Sequence, residues 1–207
     1  MNLRPTVASL ALLLTVVPPA AAQPQRAGAA VVLVPGAGGA VPRDFLVRNQ
    51  QSFAAAGLAT AIATSASEAA SSASSFASQG MSVTLVGMSA GTPTVAEAVA
   101  AGAPASRVVL VSGTLMPGNA QRSVAQSLGT PARLPATLVV HNRQDACPLT
   151  PPEAVQRFLQ WSGGRARVRW VASADGPGHP CGPMSAHGFY GNDAQAVGTI
   201  ISFARGR

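Results

Sequence analysis

A serine lies between two glycines in the motif Gly-x-Ser-x-Gly at positions 87–91, with Ser89 at its centre. Residues suited to a buried strand precede the motif, and Pro93 and an alanine-rich apolar segment follow it, which predicts a strand, a sharp turn and a helix. Such a turn projects the serine hydroxyl above the sheet edge, where it is placed for nucleophilic attack. The alternative is a plain glycine turn, in a chain rich in glycine, alanine and serine.

A serine hydroxyl is a poor nucleophile at neutral pH, so it needs a neighbouring base that is itself oriented by a carboxylate. Among the few aspartates, Asp145 follows the fifth predicted strand and Asp175 the sixth, whereas Asp44 and Asp193 fall in predicted helices. Loops after the carboxyl ends of parallel strands lie at the same edge of the sheet as Ser89. We therefore expect Asp145 to be the orienting acid, with Asp175 in reserve and a surface salt bridge as the alternative role.

Three histidines are candidates for the base. His187 opens the last predicted helix, whose amino terminus disfavours a charged imidazole and keeps the base ready to accept a proton. His179 precedes a proline and a cysteine expected to form a disulfide, which together leave it little freedom. His141 ends a predicted strand, where a structural role is expected. His187 is therefore the expected base.

Every basic residue of the chain is an arginine, and the formal net charge is +7. Because the chain has no lysine side-chain amine, a P-loop, a Schiff-base lysine and a Ser-Lys dyad are all excluded. The arginines are scattered and aromatic residues are few, so no nucleic-acid partner is expected. Only Arg165, Arg167 and Arg169 cluster; their alternation predicts a solvated edge strand, with a binding patch as the alternative.

The amino terminus, residues 1–22, has the features of a secretory signal peptide. Arg4 supplies positive charge, residues 7–17 are apolar, and three alanines precede Gln23 as a small-residue cleavage site. The apolar run is too short for a permanent membrane anchor, so we expect cleavage and a secreted or periplasmic protein without stable membrane insertion. An uncleaved anchor is the alternative. Residues 23–207 contain no repeat or linker and are expected to form a single domain.

The two cysteines, Cys147 and Cys181, fall in separate predicted loops. Because an exported protein meets an oxidising compartment, we expect a disulfide between them, with two free thiols as the alternative. Two cysteines alone make a metal site improbable, and no cofactor is expected. The bridge would join the loop of Asp145 to the loop of His187.

Apolar strand-like segments alternate with helical segments along the chain. This alternation predicts an α/β fold, a three-layer α/β/α sandwich with about six mostly parallel strands. The predicted strands are residues 30–34, 58–63, 83–86, 107–111, 136–141 and 167–172. The predicted helices are residues 43–56, 95–101, 153–161 and 187–204, with a short helix around 120–128 and either a helix or a flexible loop at 64–80.

The connection from 112 to 135 is too long for a simple turn. Its apolar residues include Leu115, Met116 and Leu128, which either line a substrate pocket or pack in the core.

The chain order Ser89, Asp145, His187 resembles the order of the α/β-hydrolase triad. Nearly the whole chain after the signal segment is similar to the small, capless members of that family, the dienelactone-hydrolase-like and minimal serine esterase branches. The resemblance is carried by the glycine-rich residues 35–39, the motif at 87–91, the His-x-x-x-Asp run at 141–145 and the His-Gly-Phe sequence at 187–189. It implies that the six strands are the last six of the family's eight, in the order 2-1-3-4-5-6. The chain differs from the family pattern in lacking the first two strands and any large cap, and in having Pro35 where many members have histidine.

The resemblance also implies a mechanism. His187 would take the Ser89 proton, Asp145 would orient the imidazole, and the backbone N–H groups of Ala37 and Ala90 would form the oxyanion hole. The alternative for the glycine-rich loop, a dinucleotide-binding turn, would need a glycine where Val41 stands.

The expected function is hydrolysis of a small carboxylic ester through an acyl-enzyme, by an exported monomer. Acyl transfer to an alcohol, or cleavage of a thioester or amide, would use the same three side chains and is the first alternative. A binding protein without catalytic activity on the same fold is the second.

Overall fold

A computed structural model of the chain describes Met1 and residues 28–207. Apart from Met1, the predicted signal peptide at 1–22 lies outside the described residues, and its cleavage stays a prediction. The start of the predicted domain at residue 23 also lies outside the described residues and stays a prediction.

Six parallel strands form one sheet in the order β2-β1-β3-β4-β5-β6. The strands are β1 (Ala29–Val34), β2 (Ala59–Ile62), β3 (Ser82–Met88), β4 (Arg107–Val111), β5 (Ala136–His141) and β6 (Ala166–Trp170). The predicted fold class and strand order are therefore confirmed. Valine and leucine fill the central strands, and these strands are buried because helices cover both faces of the sheet.

Seven α-helices lie within the described part of the chain. They are α1 (Phe45–Arg48), α2 (Gln50–Ala55), α3 (Ala66–Ser78), α4 (Gly91–Ala100), α5 (Val124–Leu128), α6 (Glu153–Trp161) and α7 (Asp193–Ala204), with 3-10 turns at Pro131–Arg133 and Ala186–Gly188. Of the two alternatives for residues 64–80, the helix is the one present. Ser65 begins it by accepting a hydrogen bond from the N–H of Glu68.

Two helix predictions were wrong in extent. The predicted helix at 43–56 is broken at Asn49, whose buried side-chain amide donates to the carbonyl of Phe45 and to the carboxylate of Asp193. The predicted helix at 187–204 begins only at Asp193. Phe189 adopts left-handed backbone angles (φ 58°) and Gly191 does as well (φ 74°), so the chain turns twice before α7.

The core lies on both faces of the sheet. On one face α1, α2 and α7 pack against residues such as Leu33 and Val109, and on the other α3, α4, α5 and α6 pack against residues such as Leu85 and Leu110. This arrangement is the predicted three-layer sandwich.

Arginines lie at the β6 edge of the sheet, as predicted. Arg167 and Arg169 are exposed on β6, and Arg165 precedes it. Guanidinium groups on an edge strand oppose pairing with a second chain. Among the described residues, no helix is both long enough and apolar enough to cross a membrane.

Candidate active site

Ser89 lies in the one-turn junction between β3 and α4, at positive φ (49°). The strand ends at Met88 and the helix begins at Gly91, so the chain reverses within two residues. Residues that carry a Cβ rarely adopt such backbone angles, and backbone strain of this kind is concentrated at functional sites. Ser89 is half-buried at the carboxyl edge of the sheet.

The two flanking glycines permit the close approach of strand, helix and loop. A Cβ at Gly87 would lie 2.8 Å from the carbonyl oxygen of Gly91. A Cβ at Gly91 would overlap the carbonyl oxygens of Val34 and Pro35 at the end of β1. Both positions therefore require glycine for lack of space, which is the reason that the motif suggested.

Thr92 fixes the turn from the helix side. Its hydroxyl donates to the carbonyl of Ser89 at 2.7 Å and accepts from the N–H of Thr114 at 3.1 Å. The N–H of Ser89 in turn donates to the carbonyl of Val111 at 2.9 Å. The backbone on either side of the nucleophile candidate is thus held by neighbouring elements.

Asp145 and His187 form a buried pair at the same edge of the sheet. His187 Nδ1 lies 2.9 Å from Asp145 Oδ2, and the exposed fractions of the two residues are 2% and 5%. Asp145 lies in the loop after β5, and His187 lies in the 3-10 turn before α7. The structure therefore brings together the two residues that sequence analysis selected as acid and base.

The backbone around His187 is held by side chains of other loops. The hydroxyl of Ser185 accepts from the N–H of His187 at 3.2 Å, and the hydroxyl of Ser112 donates to its carbonyl at 2.8 Å. The side-chain amide of Asn142 donates to the carbonyl of Ala186 at 3.3 Å. The expected position of His187 at the start of a long helix was wrong, and these contacts position it instead.

The Asp145 carboxylate receives hydrogen bonds on both oxygens. The N–H of Cys147 donates to Oδ1 at 2.9 Å, and the hydroxyl of Thr150 donates to Oδ2 at 3.0 Å. Donors of this kind offset the cost of burying a carboxylate. Sequence analysis did not select Thr150, because its contact depends on how the loop from 145 to 150 folds back.

The other two histidines take different positions around this pair: His141 is packed against Asp145, and His179 lies on the surface. His141 is fully buried, and its Nε2 donates to the carbonyl of Thr150 at 3.1 Å. Burial lowers its pKa to about 4, against the opposing attraction of Asp145, so it is neutral near pH 7. His179 is exposed and accepts from the N–H of Cys181. Asp175, the reserve acid, is exposed as well.

A disulfide joins Cys147 and Cys181, as expected. Cys147 lies two residues after Asp145 and donates to that carboxylate, whereas Cys181 precedes His187 in the following loop. The bridge therefore ties together the loops that carry the acid and base candidates.

The glycine-rich loop after β1 lies beside Ser89. A Cβ at Gly36 would contact the Ser89 Cβ at 3.5 Å, and the N–H of Gly36 donates to Asp44 Oδ2 at 2.9 Å. Within the described chain, the backbone N–H groups of Ala37 and Ala90 make no hydrogen bond to protein acceptors. Asp44 was predicted inside a helix, but it is the residue before α1, where an aspartate is a common capping signal.

A cavity of about 490 Å³ opens at this edge of the sheet and includes both Ser89 and His187. Its walls also contain the two oxyanion-hole candidates, Ala37 and Ala90. The apolar part of the wall comprises Val41, Phe45, Met88, Pro93, Leu149 and Pro183, and the polar part includes Thr114, Asn119, Gln121 and Arg122.

Leu115 and Met116 do not line this cavity. Leu115 is buried in the core, and Met116 packs against the same core cluster. Of the two roles considered for them, core packing agrees with their positions. Residues 119–122 of the same connection line the cavity instead, and all of them except Ala120 are polar. No group of three or more residues able to hold a metal ion occurs in the described part of the chain.

No protein-family model matches the sequence, and no curated protein matches it. Solved structures do resemble the chain. A protein of Klebsiella pneumoniae subsp. pneumoniae, provisionally named a dienelactone hydrolase, is 12% identical, with 89% of this chain and 90% of that chain covered and a TM-score of 0.63. A dienelactone hydrolase-like promiscuous phosphotriesterase from metagenomic libraries is 19% identical, with 87% and 88% covered and a TM-score of 0.55.

A monoacylglycerol lipase of Paleococcus ferrophilus is 13% identical, with 86% of this chain and 96% of that chain covered and a TM-score of 0.54. At these identities the likeness establishes the fold, which is the α/β-hydrolase fold, with no large cap among the described residues.

Proposed function

We propose that this α/β-hydrolase-fold chain is a serine hydrolase that cleaves small carboxylic esters, with Ser89, His187 and Asp145 as its catalytic residues. One observation carries the proposal. A serine on a strained turn and a buried histidine paired with an aspartate at 2.9 Å open into the same cavity. This combination supports a nucleophile with its base and orienting acid.

The proton positions follow from the contacts of His187. Its Nδ1 faces the Asp145 carboxylate, which accepts hydrogen bonds, so the imidazole proton resides on Nδ1. The other nitrogen, Nε2, makes no hydrogen bond within the described chain, and so none to Ser89 Oγ, which leaves its lone pair unengaged. That lone pair is the base for the Ser89 hydroxyl.

In the proposed reaction, Ser89 Oγ attacks the ester carbonyl carbon while its proton passes to His187 Nε2. The carbon–oxygen bond to the alcohol then breaks, and the alcohol leaves with the proton from Nε2. Water then attacks the acyl carbon and gives a proton to Nε2. The bond from that carbon to Ser89 Oγ breaks, Oγ takes the proton back from Nε2, and the acid leaves. The Asp145 carboxylate stabilises the imidazolium in both halves of the cycle.

The negative charge on the carbonyl oxygen would be held by the backbone N–H groups of Ala37 and Ala90. Both residues line the cavity, and neither N–H is engaged by an acceptor within the described chain. A donor of this kind typically contributes about 3 to 4 kcal/mol to transition-state stabilisation.

The cavity supports a small substrate. A volume of about 490 Å³ lies in the lower part of the range for small-molecule sites. Its apolar wall suits a short acyl chain, and residues 119–122 place polar groups along another wall. The disulfide and the signal-like sequence at 1–22 together support export to an oxidising compartment.

The test is turnover of p-nitrophenyl esters of increasing acyl length by the wild type and by Ser89→Ala. We expect kcat/KM to be highest for short chains, and Ser89→Ala to lose several orders of magnitude while staying folded. Adding an alcohol to the assay separates hydrolysis from acyl transfer, because a transferase would form the new ester in preference to the free acid. Equal turnover by Ser89→Ala would reject the proposed function.

A further inference from the structure

Thr150 places one hydroxyl against both members of the acid and base pair. Its Oγ1 lies 3.0 Å from Asp145 Oδ2 and 3.1 Å from His187 Nδ1, while those two atoms lie 2.9 Å apart. The three polar atoms thus form a closed triangle. Thr150 is fully buried, so this triangle is shielded from water.

Only one distribution of protons satisfies all three sides of the triangle. The carboxylate of Asp145 can only accept, so the Thr150 hydroxyl donates to Oδ2. The N–H of His187 Nδ1 then points between two acceptors, Oδ2 and the lone pairs of Oγ1. With the proton on Nε2 instead, the Nδ1 lone pair would face the carboxylate at 2.9 Å without a proton between them. The threonine therefore supports the histidine tautomer that leaves Nε2 free.

The main chain of Thr150 is itself fixed. Its carbonyl accepts from His141 Nε2 at 3.1 Å, and its N–H donates to the carbonyl of Cys147 at 3.1 Å. The same His141 Nε2 lies 3.4 Å from Asp145 Oδ2. His141 Nδ1 is buried and has no hydrogen-bond partner in the described chain. An unpaired buried polar atom is unfavourable. The hydrogen bond from Nε2 to the Thr150 carbonyl is therefore the contact that stabilises a histidine at this position.

We propose that Thr150, held from behind by His141, is a positioning residue that locks the Asp145 carboxylate and the His187 imidazole in their reactive arrangement. This inference rests on the proposed function, because it assigns a task within the same site. Thr150 does not line the cavity, so it acts through its two neighbours and not on the substrate.

The test compares Thr150→Val, which keeps the shape but removes the hydroxyl, with Thr150→Ser, which keeps the hydroxyl. A hydrogen bond to a charged group contributes about 1.5 to 3 kcal/mol, so Thr150→Val should lower kcat roughly 10- to 100-fold with KM changed less than about twofold. Thr150→Ser should restore most of kcat. The matched control is Thr137→Val. Thr137 is also buried, but its hydroxyl donates to the carbonyl of Pro135 at the start of β5, the end of the strand away from the site.

Two further measurements keep the outcome decisive. The first is the rate at which a fluorophosphonate labels Ser89 in each variant, measured together with the unfolding midpoint. A variant with a less reactive serine is thereby distinguished from one that is unstable. Proton NMR of the low-field His187 Nδ1–H signal should show a shifted or exchange-broadened resonance in Thr150→Val and a restored one in Thr150→Ser.

Wild-type kcat and an unchanged Nδ1–H signal in folded Thr150→Val would overturn the inference and leave the proposed function intact. An equal loss in Thr150→Ser and Thr150→Val would overturn it as well. If Ser89→Ala were as active as the wild type, the proposed function itself would fail. Should Thr150→Val not fold, His141→Gln takes its place, with kcat expected to fall several-fold and to stay unchanged if the inference is wrong.

Discussion

At the scale of single residues, the site is defined by hydrogen bonds that converge on one carboxylate. Asp145 receives donors from the main chain of Cys147, from Thr150 and from His187, all within 3.0 Å. Such a set satisfies the hydrogen-bonding capacity of a buried carboxylate without a formal cation beside it. The acid is thereby ready to stabilise an imidazolium, which is what the proposed reaction demands of it.

The depressed pKa of His141 predicts a stability that depends on pH. An unfolded histidine titrates near 6.5, whereas the pKa of His141 in the folded chain is about 4 because of burial. Between those values the unfolded state binds the extra proton, so the free energy of unfolding should fall as pH decreases from about 6.5 to 4, by up to about 3 kcal/mol. Urea unfolding across this range measures it.

His141→Gln, which carries no titratable group, is the comparison. Subtracting its pH profile removes the contributions that are the same in both proteins. We expect the free energy of unfolding of the wild type, relative to that of His141→Gln, to rise from pH 4 to pH 6.5. Two parallel profiles would show that His141 does not cause the slope.

Thr84 provides a contrast at the same scale. Its hydroxyl is buried in β3 without a hydrogen-bond partner in the described chain. Thr84→Val replaces that hydroxyl with a methyl group and should raise the free energy of unfolding by about 1 to 2 kcal/mol. Thr137→Val removes a hydroxyl that is paired with Pro135 and should lower it by about 1 kcal/mol. Chemical unfolding of both variants measures these changes in the free energy of unfolding, and a destabilised Thr84→Val would contradict the prediction.

At the scale of elements, the four-residue helix α1 links the two halves of the site. Asp44, its cap, holds Gly36 of the glycine-rich loop. At its other end Arg48 donates to the carbonyl of Gly188, the residue after His187, at 2.7 Å. The rings of Phe45 and Phe189 also meet at 5.3 Å between centroids. A short helix thus sets the distance between the oxyanion candidates and the base.

Arg48 is fixed by an ion pair with Asp193 at the start of α7, at 2.7 Å. Burial raises the pKa of Asp193, but hydrogen bonds from Arg48 and Asn49 outweigh it and hold that pKa below its ordinary value. The carboxylate therefore stays charged through the neutral range and keeps the guanidinium directed at Gly188.

Removal of the α1 cap should affect both stability and rate. Asp44→Ala loses the bonds to Gly36 and to the first turn of α1, so we expect about 1 kcal/mol less stability and at least about a tenfold lower rate of Ser89 labelling. The control is Ser65→Ala, which removes the cap of α3 at a residue that does not line the cavity. It should lose comparable stability at an unchanged labelling rate; equal rates in both variants would exclude a role for Asp44 in the loop.

Local patterns were enough to predict the strands and the sharp turn at Ser89. Valine-rich segments and the spacing of Gly87 and Gly91 report constraints that act between near neighbours in the chain. The contacts of Thr150 and Arg48 could not be predicted, because each depends on how a loop lies against a distant segment. The extent of the last helix was missed for a related reason, since nothing in the sequence around Phe189 signals left-handed backbone angles in a residue other than glycine.

At the scale of the whole molecule, a parallel sheet brings four separate loops to one edge. The loops after β1, β3, β5 and β6 supply Gly36, Ser89, Asp145 and His187 in turn. Chain order and strand order together explain why residues far apart in sequence meet there. The fold and this convergence were accessible from the sequence, whereas the cavity was not, since residues 119–122 line it in place of Leu115 and Met116.

The disulfide adds a covalent tie between two of those loops. Cys147 and Cys181 are 34 residues apart, and a loop of that length corresponds to about 3 to 4 kcal/mol in the chain-entropy account. Reduction by dithiothreitol should therefore lower the unfolding temperature and the turnover rate together. Turnover unchanged after reduction, confirmed by thiol titration, would show that the bridge does not hold acid and base in place.

The most direct test of the central proposal is covalent labelling with a fluorophosphonate, followed by mass spectrometry of the digested protein. We predict one adduct, on the peptide that contains Ser89, and none in Ser89→Ala. His187→Ala and Asp145→Ala should form it far more slowly while remaining folded. An adduct on another residue, or labelling of the His187 variant at the wild-type rate, would contradict the assignment of these three residues.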